Sequence, residues 1–84
     1  MTYDLLVLGA GPAGLSAAVA ARGRGKSVLV MGTPPEESPL ARAPVIDNYL
    51  GLPGMSGGEM LARFMEHARQ AGTEFARGRV VSLL

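Results

Sequence analysis

The sequence predicts an α/β fold in which a three-stranded parallel sheet is combined with two helices and the start of an additional C-terminal strand. Two observations support this fold class. Short apolar runs alternate with longer segments of helical periodicity, and glycines stand at most of the junctions between them. With 84 residues, the chain has room for one small domain, which we place over residues 1–84 and interpret as part of a larger fold.

The first predicted element is a strand over residues 2–8. Its apolar run Leu-Leu-Val-Leu at 5–8 does not alternate with polar residues. Such a pattern is typical of a strand that is covered on both faces in a parallel sheet. We therefore expect this strand to be central.

A glycine-rich loop follows this strand and leads into an alanine-rich helix. Gly9 permits a sharp turn, Gly11 lacks a side chain that would hold a phosphate away from the backbone, and Gly14 permits close packing of helix on strand. The helix N-terminus offers unpaired amides to an anion. The loop predicts a Rossmann-like pyrophosphate site. Its residues are Gly9, Ala10, Gly11, Pro12, Ala13 and Gly14.

The helix is predicted over residues 13–22, where good helix formers run up to Gly23. A second strand is predicted over residues 26–31, and the two strands and the helix form one right-handed βαβ unit. Dinucleotide sites usually carry an acid after the second strand, which accepts a hydrogen bond from the ribose. Gly32 and Thr33 stand there instead, so adenosine recognition is assigned to backbone groups, Thr33, or the glutamates at 36 and 37.

Residues 32–55 are predicted to be a long loop. Prolines at 34, 35, 39 and 44 exclude regular structure from most of its first half. A loop of this length in a small domain is either functional or disordered.

The next helix is predicted from a capping box, in which Ser56 and Glu59 each satisfy an unpaired amide. An apolar stripe at helical spacing follows, and Gly72 ends the helix. The stripe consists of Leu61, Phe64, Met65 and Ala68, with Met60 as a further core residue.

Two further strands are predicted, over residues 73–76 and 79–84, with a turn at Gly78. The last of them is apolar and has no polar end. An unpaired edge of this kind invites association. We therefore expect a homo-oligomer or a second polypeptide that completes the sheet.

The composition limits the possible functions. The formal net charge is +1, so no strong field attracts nucleic acid or a membrane, and the scattered arginines are interpreted as solvated. The absence of cysteine excludes disulfides and thiolate metal sites, so redox chemistry would need a bound cofactor. We assign neither metal ligands nor catalytic residues, and His67 is interpreted as a surface residue. Asp4 stands at the entrance of the apolar stretch at 5–21 and a Gly-Pro pair interrupts it, which argues against a targeting segment and favours the cytoplasm.

Two motifs together resemble a known family. Residues 3–18 are similar to the start of the FAD domain in two-dinucleotide-binding-domain flavoproteins, and residues 46–57 resemble the Ile-Glu-Asn-Tyr-Pro-Gly run of low-molecular-weight thioredoxin reductases. The resemblance implies that the glycine loop holds the pyrophosphate of FAD and that Asn48 lies near the flavin. It also implies NAD(P)H-dependent, flavin-mediated electron transfer as the reaction class.

Besides the missing acid after the second strand, the chain departs from this family in two further respects. Leu50 stands at the proline of the family's run, and the second glycine motif, the Cys-x-x-Cys pair and the returning C-terminal segment of the family are not in the sequence. We therefore expect an FAD-binding module that is not catalytic alone. Two alternatives stay open: a non-catalytic regulatory or interaction remnant or gene fragment, and an NAD(P)-binding Rossmann domain. The missing acid and the Asn48-Tyr49 run argue against the second alternative.

Overall fold

The structure, a computed structural model, describes residues 2–33 and 37–77. Within these ranges the predicted α/β architecture is confirmed. The regular elements are β1 (Leu5–Leu8), α1 (Pro12–Gly23), β2 (Val28–Gly32), a 3₁₀ helix (Leu40–Arg42), α2 (Gly57–Gln70) and β3 (Glu74–Arg77). The predicted strand over 79–84 lies outside the described residues. No helix in the described ranges has the length and apolar character needed to cross a membrane.

The sheet is parallel and has the strand order β1-β2-β3. In the described sheet β2, not β1, is therefore the central strand, and the expected central position of β1 is wrong there. Leu6 and Leu8 of β1 are 51% and 43% exposed. A continuous apolar run indicates that both faces of a strand favour burial, but it does not specify which strands lie beside it.

Both helices pack on one face of this sheet. Ala18 of α1 lies against the central-strand residues Val28 and Val30, and all three are almost completely buried. Leu61 of α2 belongs to a neighbouring apolar cluster, and Phe75 of β3 contacts both clusters. The two crossovers therefore run in the same sense, and the core lies between the helices and the sheet.

The long connection after β2 is more regular than expected. The prolines do not prevent a 3₁₀ helix over Leu40–Arg42, because Pro39 has the helical φ of −56° and stands at its N-cap, where no amide is needed. An antiparallel bridge joins Ile46 to Met55, with an N···O distance of 2.7 Å from the Ile46 amide to the Met55 carbonyl. The segment between them is thereby closed into a loop.

Helix α2 begins as predicted, although only half of the capping box forms in the described structure. The Ser56 hydroxyl accepts a hydrogen bond of 3.2 Å from the Glu59 amide, and the reciprocal bond from the Ser56 amide to the Glu59 carboxylate is not made. Gly57 packs directly against the 3₁₀ helix. This close approach requires glycine, because a Cβ at this position would overlap the Leu40 carbonyl oxygen. The predicted apolar stripe faces the core.

Arg22 is half-buried rather than solvated as the sequence indicated. Its Nε donates to the Ala71 carbonyl at 2.9 Å, and its Nη1 donates to the Lys26 carbonyl at 2.9 Å.

We expect Arg22→Met, which keeps the apolar stem, to lower the free energy of unfolding by about 1–2 kcal/mol in urea titrations. Arg24→Met at the exposed neighbouring arginine is the control. Equal losses in both variants would show that the two hydrogen bonds contribute nothing.

Asp4, just before β1, pairs with Ser27, just before β2. Its carboxylate accepts hydrogen bonds from the amide of Ser27 at 2.8 Å and from the hydroxyl of Ser27 at 3.2 Å. The backbone hydrogen bond, and then the side-chain hydrogen bond, lower the pKa of Asp4 below its ordinary value. This contact therefore stabilises the fold at pH values above the unfolded pKa of about 4, and the stabilisation is lost as the pH falls through the lower folded pKa.

Asp4→Asn should accordingly melt at a lower temperature than the parent chain at pH 7. The difference between the two melting temperatures should shrink as the pH is lowered below about 4. Asp47→Asn at an exposed aspartate is the control. A difference that stays constant between pH 7 and pH 3 would contradict the assignment to the ionised carboxylate.

Candidate dinucleotide site

The glycine loop joins the carboxyl end of β1 to α1. Gly9 has a φ of +114°, a conformation that disfavours any side chain, and its amide donates to the Met31 carbonyl at 2.8 Å. A Cβ on Gly14 would overlap the Gly9 carbonyl oxygen and lie 3.0 Å from Cγ1 of Val7. The turn and the close helix–strand approach predicted for these two glycines are therefore present.

The N-terminus of α1 has the features of an anion site. Gly11 is the N-cap and provides no side-chain hydrogen bond, and the first turn contains no acidic residue. The first backbone bond of the helix runs from the Leu15 amide to the Gly11 carbonyl. The amides of Ala13 and Gly14 therefore lack intrahelical acceptors and lie at the positive end of the helix dipole.

The space in front of Gly11 is open. A Cβ added to Gly11 would meet no heavy atom within 4 Å. A pyrophosphate can thus approach the backbone here and accept hydrogen bonds from the first-turn amides, which is the chemistry that the residue types predict. The glycine loop and the first turn of α1 therefore have the space and the hydrogen-bond donors that the pyrophosphate of a dinucleotide requires.

A pocket of about 340 Å³ continues from this loop along the carboxyl ends of β2 and β3. Three predicted site residues, Ala10, Gly32 and Thr33, line it together. Gly32 allows β2 to approach the loop, since a Cβ there would lie 3.0 Å from both the amide nitrogen and the Cβ of Ala10. The predicted adenosine-end residues are therefore adjacent to the predicted pyrophosphate site.

The opposite wall of this pocket was not predicted from the sequence. It includes Arg69 of α2 and Phe75 and Arg77 of β3. The Arg69 guanidinium lies 5.8 Å from the centroid of the Phe75 ring and pairs with Glu66 at 2.6 Å. This exposed ion pair is a weak contact in energy, but together with the ring it defines the position of Arg69.

Arg77 is the cationic group at the end of β3. It is exposed, has no salt bridge within the described residues, and stands in register with Gly32 of the neighbouring strand. A signal for it exists in the sequence: Arg77 follows Phe75 by two residues, so the two share one face of a strand. That signal is usable only when β3 is known to lie beside β2.

Asn48 lies on the exposed segment between Ile46 and Met55 and does not line the 340 Å³ pocket. Its place near the flavin stays a prediction. The neighbouring Tyr49 packs on Phe64, with ring centroids 5.1 Å apart and tilted by 47°. His67 is exposed and borders a separate groove of about 290 Å³ between α1 and α2.

Known proteins are similar to this chain in sequence. Residues 4–43 match a family described as an FAD binding domain. A thioredoxin reductase of Aquifex aeolicus is 40% identical over 81 residues, which are 95% of this chain and 25% of that protein. A thioredoxin reductase of Bacillus subtilis is 32% identical over 82 residues, 98% of this chain and 26% of the relative.

Solved structures agree with these matches. A thioredoxin reductase from Gloeobacter violaceus superposes with a TM-score of 0.90 at 32% identity and covers 96% of this chain, which corresponds to 26% of that structure. A ferredoxin–flavin thioredoxin reductase from Clostridium acetobutylicum gives a TM-score of 0.86 at 41% identity, over 98% of this chain and 29% of that one. The chain thus spans about a quarter of the length of the relatives that it matches.

Proposed function

We propose that this chain, which corresponds to the N-terminal part of the FAD-binding domain of thioredoxin reductase-like flavoproteins, holds FAD by its pyrophosphate in the glycine loop. The observation that carries the proposal is the open space in front of Gly11, next to first-turn amides that have no intrahelical acceptor. FAD, when bound, supplies electron transfer at its isoalloxazine ring.

Each part of the site has a separate task in this proposal. The amides of Ala13 and Gly14 donate to the pyrophosphate oxygens, and the helix dipole favours their negative charge. Thr33 and Arg77 offer donors at the adenosine end, where no acid follows β2. Asn48 is proposed to lie toward the flavin.

Titration of the purified chain with FAD tests the proposal. We expect quenched flavin fluorescence and a higher melting temperature, with a stabilisation of about 2.7 kcal/mol when the free FAD concentration is a hundred times the Kd. Fluorescence and melting that stay those of the separate components at micromolar protein would refute independent binding. Tighter binding of NADP than of FAD in competition would favour the nicotinamide alternative, which an arginine at the adenosine end permits.

The activity of a longer protein that contains this domain is a further proposal. We propose NAD(P)H-dependent, flavin-mediated electron transfer in the cytoplasm, in which this chain positions the cofactor. The sequence contains no cysteine, so a redox-active disulfide would have to come from other polypeptide. In support of the proposed compartment, residues 5–21, whose apolar character resembles a targeting segment, belong to β1, the glycine loop and α1 of the folded domain.

Arg77 provides a specific prediction about the adenosine end. Arg77→Gln should raise the Kd of FAD and of ADP by about three- to tenfold, because one exposed charged donor is lost from the pocket. The Kd of inorganic pyrophosphate, measured by competition, should not change. Arg63→Gln, at an exposed arginine of α2 that does not line the pocket, is the matched control. Equal weakening of pyrophosphate and ADP would place Arg77 at the phosphates instead.

A further inference from the structure

Arg69 lies on the second wall of the 340 Å³ pocket, and two contacts hold its guanidinium in place. The guanidinium carbon lies over the Phe75 ring, 5.8 Å from its centroid, and Nη1 donates to the Glu66 carboxylate at 2.6 Å. The Arg69 side chain is nevertheless 58% exposed. It therefore borders the pocket as a positioned group that keeps accessible surface.

The two arginines of this pocket differ in how their charge is balanced. Glu66 pairs with Arg69 on the same helix and does not itself line the pocket. Arg77, at the end of β3, has no salt bridge within the described residues. Arg77 thus offers a net positive charge to an anion. Arg69 offers chiefly the planar surface of its guanidinium, a group that stacks on ring systems.

The wall around Arg69 suits a ring better than a phosphate. Met65, one helical turn before Arg69, lines the same wall with a flexible apolar side chain. The facing wall includes Ala10 and Gly32, whose small size leaves the space between the walls unfilled by side chains. Nucleobases bring a planar ring to such a site, and they stack on arginine guanidinium groups as they do on aromatic side chains.

We propose that Arg69 is the base-stacking residue of this site and sets a preference for nucleotides with a purine over nucleotides with a smaller base. The inference rests on the proposed function, which places the adenosine half of the cofactor in this pocket. In this arrangement Phe75 lies on one side of the guanidinium and the base lies on another. A purine covers more of the guanidinium than a pyrimidine does, so adenine gains more from the contact than uracil.

Ligands that differ only in the base test the inference in the 84-residue chain. Titrations measure the Kd of ADP, UDP and inorganic pyrophosphate for the parent, Arg69→Lys and Arg69→Gln. Lysine keeps the charge and the possibility of pairing with Glu66, but it lacks the planar group. We expect the Kd of ADP to rise about two- to fivefold in both variants, while that of pyrophosphate stays unchanged and the preference for ADP over UDP decreases.

Arg63→Lys is the matched control, because Arg63 is an exposed arginine of the same helix that does not line the pocket. It should leave all three Kd values unchanged. The melting temperature of each variant without ligand measures whether the fold is kept. For the Arg69 variants it should stay within about 2 °C of the parent, since the ion pair with Glu66 is exposed.

Full ADP affinity in Arg69→Lys would overturn the inference, because charge and not the planar surface would then bind the ligand. Equal weakening of ADP and UDP would also contradict it, since Arg69 would not distinguish the bases. Neither result would affect the proposed function if FAD binds the parent chain. ADP binding with the expected dependence on Arg69, in a chain that does not bind FAD, would refute the proposed function and leave the inference intact. A chain that binds none of these nucleotides would refute both.

Discussion

Replacing Gly14 by alanine is expected to lower the free energy of unfolding by about 1–3 kcal/mol or more, a large fraction of the stability of a small domain. The added Cβ would overlap the Gly9 carbonyl oxygen and would lie 3.0 Å from Cγ1 of Val7. The overlap with the Gly9 carbonyl oxygen cannot relax by a side-chain rotation, because that atom belongs to the backbone. Helix α1 would have to move off β1. Urea titration followed by far-UV circular dichroism measures the loss.

Gly23→Ala is the matched control for this experiment. Gly23 is the last residue of the same helix, and a Cβ there would meet no atom within 4 Å. The control should be neutral or more stable by about 0.5–1 kcal/mol, because alanine has less backbone freedom to lose than glycine. The same substitution should thus have opposite effects at the two ends of α1. A Gly14→Ala chain as stable as the parent would show that helix and strand do not need this close approach.

Replacing Gly11 by aspartate is expected to abolish FAD binding while the fold is kept. Gly11 is the N-cap of α1 with φ −85° and ψ −179°, a backbone conformation that any residue adopts, and the space around it is open. Aspartate is a preferred N-cap residue, so the melting temperature without ligand should stay equal or rise. Its carboxylate would occupy the space proposed for the pyrophosphate and repel it. We expect the Kd of FAD to rise at least about a hundredfold, or about 2.7 kcal/mol.

Gly11→Asn separates charge from size in this experiment. Asparagine has nearly the same shape as aspartate and is an equally good N-cap, but it is neutral. Its Kd for FAD should lie between those of the parent and the aspartate variant, with the difference between the two variants decreasing as salt is added. Unchanged FAD affinity in both variants would place the pyrophosphate away from Gly11 and would refute the proposed site.

The glycine loop was predictable from the sequence because its constraints are local. The sharp turn at Gly9 and the close approach at Gly14 follow from steric limits within a few residues of chain. The N-terminus of α2 was predictable for the same reason, since Ser56 needs only its own helix to form its cap. The adenosine end was only half predictable. Thr33 follows a recognisable strand, whereas Arg69 and Arg77 join the pocket through the pairing of β2 with β3.

The sequence by itself determined the order of the elements, the two-helix, three-strand architecture and the position of the phosphate-binding turn, because periodicity, capping and glycine sterics act over short stretches of chain. Only the tertiary structure decided which strand is central, which residues form the second wall of the pocket, and which face of the sheet is open. These properties depend on strand pairing between residues far apart in the chain, such as Leu8 with Met31, and on the side of the sheet to which both helices cross. An apolar run is the same in sequence whether or not a layer covers it, and among the residues that the structure describes, the helices cover only one side of β1.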